Sequence, residues 1–162
     1  MVRYTVNTGY EFICVRSRIP DAVWKWGVEM ETTESMRILV IDDEQMVRDL
    51  LVTALGEAGY NVDGMQDAQR ALKVLESEHY DLLLVDIHMP DMNGMEFFRA
   101  LALRELASAP KVIFITGSAG EPEIADFLES TGRPVLAKPF DLSILESLVK
   151  SELRARLNGH NI

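Results

Sequence analysis

The chain has a single cysteine, Cys14, among 162 residues. One thiol excludes an internal disulfide and any multi-cysteine metal centre, and fits a reducing compartment. Long hydrophobic runs are also missing. The longest, such as Leu82 to Val85, are a few residues, against about 20 for a membrane-spanning helix. The N-terminus lacks the basic-then-apolar pattern of a secretory leader. Positive charge is scarce: 16 basic residues against 26 acidic ones give a net charge of −10. The lysines and arginines do not cluster, which disfavours a nucleic-acid partner, because phosphate neutralisation needs them grouped. No tract is of low complexity. These absences leave a cytoplasmic globular chain, without nucleic-acid or membrane partners, large enough to bury a core.

From residue 37 onward, short apolar runs alternate with amphipathic segments. Residues 37–41, "RILVI", read as a buried strand by length and β-branched content. Residues 44–59 carry apolar side chains at Met46, Val47, Leu50, Leu51, Ala54 and Leu55, which is helical spacing, with Gly59 as the stop. A weaker strand over 60–65 precedes a helix over 67–78, whose N-cap is Asp67. The pattern repeats: strand 81–85 and helix 95–106, strand 111–116 and helix 122–130, strand 134–137 and helix 141–157. Five strand-then-helix units with near-continuous apolar strands predict an α/β fold, a parallel sheet with helices on both faces.

Residues 1–35 stand outside that rhythm. A hairpin around Asn7, Thr8 and Gly9 is one reading, with Trp24 and Trp26 just beyond it. The favoured reading is an N-terminal extension, poorly ordered or not part of the natural start, because "MRILVIDDE" opens a strand at once from Met36. The organisation expected is therefore an extension over 1–35 and one domain over 36–162.

In a parallel α/β sheet, ligands bind outside the carboxyl ends of the strands. The residues at those ends are Asp42 and Asp43, Asp86, Thr116 and Lys138. Each alone has an ordinary explanation, as a helix cap, a turn or a solvated lysine. Together they put three carboxylates, a hydroxyl and an amine on one rim. Three adjacent carboxylates repel, and one is pushed towards protonation unless a cation is present. Mg²⁺, a hard ion held by carboxylates and water, suits that need.

The segments "ILVIDDE", "LLLVDIHMPDMNGMEFF", "VIFITG" and "LAKPF", in that order and at strand ends, resemble the receiver domain of two-component response regulators. The resemblance spans Arg37 to about Leu157. It implies the flavodoxin-like strand order 2-1-3-4-5, the order that a chemotaxis member of this family exemplifies. It also implies a phospho-accepting role in two-component signalling: Mg²⁺-dependent transfer from a sensor histidine kinase or phosphotransfer protein to Asp86, which alters a protein-binding surface. By the same resemblance, Asp43 and Asp86 bind Mg²⁺ directly, Asp42 binds it through water, and the backbone carbonyl of His88 completes the protein ligands. Lys138 pairs with one phosphoryl oxygen and Thr116 with another. The Lys138–Pro139 peptide is expected to be cis. Pro90 and Gly94 read as the turn after the third strand. Such a protein catalyses its own phosphorylation and dephosphorylation, with no separate substrate turned over.

One departure is informative. The family usually carries Tyr or Phe three residues before the lysine, and here that position is Val135. The segment before the lysine is also one residue shorter than the common pattern. Signal output is therefore expected through residues 117–133, where Gly117, Gly120 and Gly132 permit backbone change. His88 and Ser118 flank the site, either tuning phosphoryl lifetime or simply exposed. Only "NGHNI" follows the last helix, so the expected output is a protein contact or phosphorelay, through helix 4, strand 5 and helix 5, with an unnamed downstream protein. An alternative is a phosphate-independent interaction module on the same fold. A flavodoxin is disfavoured, because "DDEQ" after the first strand is electrostatically opposite to a phosphate-binding loop. A haloacid-dehalogenase-like phosphatase would need an Asp-x-Asp arrangement there.

Overall fold

The computed structural model describes residues 2–5, 11–14, 36–104 and 109–158, with side chains placed over 36–104 and 109–154. The chain divides into two compact units, Met1–Ser35 and Met36–Ile162. In the first, β1 (Val2–Thr5) pairs antiparallel with β2 (Glu11–Cys14), Val2 opposite Cys14. The hairpin reading is thus met in its strands. Its turn and both tryptophans lie outside the described residues.

The second unit runs β3 (Arg37–Ile41), α1 (Gln45–Glu57), β4 (Asn61–Met65), α2 (Ala68–Val74), β5 (Leu82–Asp86), α3 (Gly94–Ala102), β6 (Lys111–Thr116), α4 (Pro122–Thr131), β7 (Val135–Ala137) and α5 (Leu142–Asn158). Its five strands form one sheet in the order β4-β3-β5-β6-β7, with every pair parallel. This is the expected 2-1-3-4-5 order.

Alternation along each strand divides the core into two layers. Leu39, Ile41, Leu83, Val85, Val112 and Phe114 point to one face and pack under α2, α3 and α4. Ile38, Val40, Leu82, Leu84, Ile113, Ile115 and Leu136 point to the other and pack under α1 and α5. Both faces being covered explains why the strands read as unbroken apolar runs. A side chain buried this way contributes about 1.5–3 kcal/mol.

Local signals set the helix starts. Asp67 accepts hydrogen bonds from the N–H groups of Gln69 and Arg70 at the start of α2. Asn93 and Glu96 form a reciprocal capping box at α3. Gly59 and Gly132 have φ of 95° and 59°, where a side chain would be strained. The helix expected over 67–78 ends at Val74, because the N–H groups of Glu76 and Ser77 turn back to Lys73 and Val74 three residues earlier. Tightening of that kind ends a helix before a polar stretch.

Candidate functional site

The alternation that builds the core also assembles the rim. Asp42 continues the phase of Ile38 and Val40, Asp86 that of Leu82 and Leu84, and Lys138 that of Leu136. All three therefore emerge on the α1/α5 face at the carboxyl ends of the strands. Because β3 lies beside β5, the two aspartates meet. Thr116 continues Val112 and Phe114 on the opposite phase. It closes β6 one residue beyond Ile115, the partner of Asp86.

Carboxylate oxygens of Asp42, Asp43 and Asp86 lie within 4.8 Å of one another. Asp42 is fully buried, Asp86 nearly so, and Asp43 is exposed. Lys138 Nζ donates to Asp42 Oδ2 at 3.1 Å, to Glu44 Oε1 at 2.9 Å and to Asp86 Oδ2 at 3.4 Å. The Glu44 N–H donates to Asp42 Oδ1 at 2.8 Å. The His88 N–H donates to the Asp86 carboxylate, while the rest of His88 is exposed. Thr116 Oγ1 accepts from the Ser118 N–H at 3.0 Å, and the Thr116 carbonyl accepts from the Lys138 N–H at 2.7 Å. The Lys138–Pro139 peptide is cis.

Burial dominates the electrostatics. It raises the pKa of Asp42 against the pull of Lys138 and the Glu44 N–H. It raises Asp86 likewise, with the Asp42 charge adding to burial and Lys138 opposing both. Burial works to lower Lys138, but its bonds to Glu44 and Asp42 and the charge of Asp86 outweigh it, so the amine is held protonated. Three clustered carboxylates and Glu44 face one ammonium. That unbalanced negative charge on oxygen donors fits a hard divalent cation.

Two contributors escaped the sequence reading. Glu44 supplies the shortest contact to Lys138. Arg48 Nη1 donates to the carbonyl oxygens of Asp42 and Asp43, at 2.7 and 3.4 Å, and clamps the turn that carries them. The available signal was spacing, since Glu44 and Arg48 lie four apart at the start of α1 and share one helix face. Gly94, read as a turn residue, has a different reason to be glycine. It is the first residue of α3, and a Cβ there would lie 2.4 Å from the Asp86 carbonyl oxygen. The residue with a left-handed backbone in that loop is Asp91, at φ 64°.

Among the described residues, no helix is long and apolar enough to cross a membrane. The family model described as the response regulator receiver domain matches residues 38–150. The response regulator receiver protein CpdR of Brucella abortus is 37% identical over 119 residues, 74% of this chain and 98% of that protein. The two-component response regulator PhoP of Pseudomonas aeruginosa is 31% identical over 119 residues, and there the match spans 74% of this chain but only 52% of the relative. Among solved structures, a CheY-like receiver domain protein from Methanospirillum hungatei superposes with a TM-score of 0.69 at 31% identity, covering 76% of this chain and 98% of that one.

Proposed function

The chain belongs to the response regulator receiver family, and from that premise we propose that it is a cytoplasmic phospho-accepting switch whose acceptor is Asp86. The receiver unit is residues 36–162, preceded by an extension over 1–35. The donor is a phosphohistidine on a sensor histidine kinase or phosphotransfer protein. One observation carries this reading: a buried carboxylate, Asp86, shares its pocket with two more carboxylates and with the amine of Lys138, which bonds it.

A carboxylate oxygen of Asp86 attacks phosphorus, the P–N bond breaks, and its electron pair leaves on the imidazole nitrogen. An ionised carboxylate needs no general base for this. Asp43, Asp86 and the His88 carbonyl would hold Mg²⁺, with Asp42 one water away. When bound, the ion supplies positive charge against both the acidic cluster and the phosphoryl oxygens. Lys138 stands at 3.4 Å from Asp86 and supports the same charge from the other side. The Thr116 hydroxyl, whose oxygen accepts from the Ser118 N–H, would turn its proton to a phosphoryl oxygen. The new group brings about −1.5 to −2 charges and three acceptor oxygens. Val135, where an aromatic is usual, is partly exposed. Output therefore runs through residues 117–133 and α4, towards a protein partner.

Acetyl phosphate is a suitable small donor for the test. With Mg²⁺, the intact mass of the wild type should rise by one phosphoryl group, and Asp86→Asn should not change. A mass gain on both proteins, or on neither, refutes Asp86 as acceptor and leaves a phosphate-independent binding module.

A further inference from the structure

Lys138 has three ammonium protons and three carboxylate partners, at 2.9, 3.1 and 3.4 Å. Every donor is engaged before any phosphoryl group arrives. Pairing with a phosphoryl oxygen on Asp86 therefore requires one of these contacts to be released. Phosphorylation removes the Asp86 carboxylate charge and frees its contact, the longest of the three. A closer pairing with the phosphoryl group draws on the two shorter contacts, of which Asp42 is sealed in the pocket. Glu44 alone of the three reaches into solvent, with its side chain 61% exposed. Water can replace the lysine around its carboxylate at little cost, because an exposed ion pair is worth about 0–1 kcal/mol.

We propose that Glu44 is a positioning residue that parks Lys138 in the resting protein and yields it when Asp86 is phosphorylated. The inference rests on Asp86 as the phosphoryl acceptor. Glu44 then competes with the incoming phosphoryl oxygens for the same ammonium, so the contact restrains phosphoryl uptake. Two substitutions separate contact from charge. Glu44→Gln keeps the length and removes the charge, which weakens a charge-assisted bond. Glu44→Asp keeps the charge and shortens the side chain by one methylene, out of reach of Lys138. If the parked contact is the restraint, both variants take up phosphoryl from acetyl phosphate about two- to fivefold faster than the wild type, the size expected of one exposed ion pair.

A general charge effect on the anionic donor would accelerate Glu44→Gln and leave Glu44→Asp at the wild-type rate. That result overturns the proposal, as does slowing of both. A wild type that gains no phosphoryl mass instead refutes the acceptor assignment. A second readout is independent of turnover: the side-chain Cε resonance of Lys138 by NMR. Both substitutions should shift it in the resting protein. With Mg²⁺ and beryllofluoride as a stable phosphoryl mimic, neither should. Equal shifts in the two states mean that Glu44 never lets go, and the proposal fails.

Discussion

The two ends of the central sheet carry similar charges and treat them in opposite ways. At the amino end of the strands, Arg37 faces Asp63 at 3.1 Å and Glu78 at 2.8 Å, and its guanidinium lies 4.5 Å from the Tyr80 ring centre. Asp81 accepts the Arg37 N–H at 2.8 Å. The Tyr80 hydroxyl donates to Asp63 at 2.8 Å. The Asp63 and Glu78 side chains are about half exposed. At the carboxyl end, Asp42, Glu44 and Asp86 bond Lys138, Asp43 lies beside the two aspartates, and two of these four acids are sealed from water. Acids outnumber the cation at both ends, three to one around Arg37 and four to one around Lys138. Counting charges does not separate a structural network from a reactive pocket; burial does. At the amino end the groups that shift are Arg37, pushed further up by its bond to Glu78, and Tyr80, pushed up to about 12 by burial and its bond to Asp63. Both settle into the protonation state they already hold at neutral pH. At the carboxyl end burial raises Asp42 and Asp86, a shift against their charged forms that a bound cation would oppose.

Substitutions at the two ends should therefore come apart. Asp42→Asn is expected to slow phosphoryl uptake about a hundredfold, the usual loss when a group serving developing charge is removed. The same substitution should leave the metal-free protein as stable as the wild type or about 1 kcal/mol more so, since it deletes a buried charge from a crowded pocket. Chemical denaturation and uptake kinetics on one preparation check both halves. Gly94→Ala attacks the rim through the backbone, because its Cβ cannot coexist with the Asp86 carbonyl. Urea unfolding should show a loss of about 2–3 kcal/mol, with uptake impaired. Arg37→Met reverses the Asp42 pattern: a stability loss of about 1–2 kcal/mol from stranded polar partners, and an unchanged uptake rate. If Arg37→Met slowed uptake, the two ends would be coupled and the contrast would break.

The smallest effect is in the pH profile. Asp42 and Asp86 have folded-state pKa values above the unfolded reference of about 3.9. The native state binds those protons more tightly, so their contribution to stability is greatest below the reference value. It declines as pH rises through the raised values. Metal-free wild type should therefore lose stability as pH climbs from about 4, and Asp86→Asn should flatten that fall.

Much of this was legible in the sequence, for reasons that can be assigned. Unbroken runs such as "LLLV" and "VIFI" announced a two-sided sheet, and residues after those runs fell at its carboxyl rim. Asp42, Asp43, Asp86, Thr116 and Lys138 were singled out that way, and the three aspartates and Lys138 lie together. Strand order came from the family resemblance, since periodicity does not state which strands are neighbours. Glu44 and Arg48 were missed because their contacts, from the N-cap of α1 to Lys138 just beyond β7 and from α1 to the Asp42 and Asp43 carbonyls, exist only after folding. Gly94 was found for the wrong reason. A glycine needed for close approach and one needed for a turn look alike until the facing carbonyl is placed. The burial that distinguishes the two ends was likewise invisible, because Asp63 and Asp86 both follow apolar or mixed strand residues.

The most direct test of the contrast is the thermal unfolding midpoint measured against rising MgCl₂ for the wild type, Asp86→Asn and Arg37→Met. A ligand that binds only the native state stabilises it by RT ln(1 + [L]/Kd). The wild type and Arg37→Met should show the same saturable rise, and Asp86→Asn a rise that is weaker and needs more Mg²⁺. A midpoint insensitive to Mg²⁺, or a rise equal in all three proteins, would contradict a cation site built on Asp86 at the carboxyl end of the sheet.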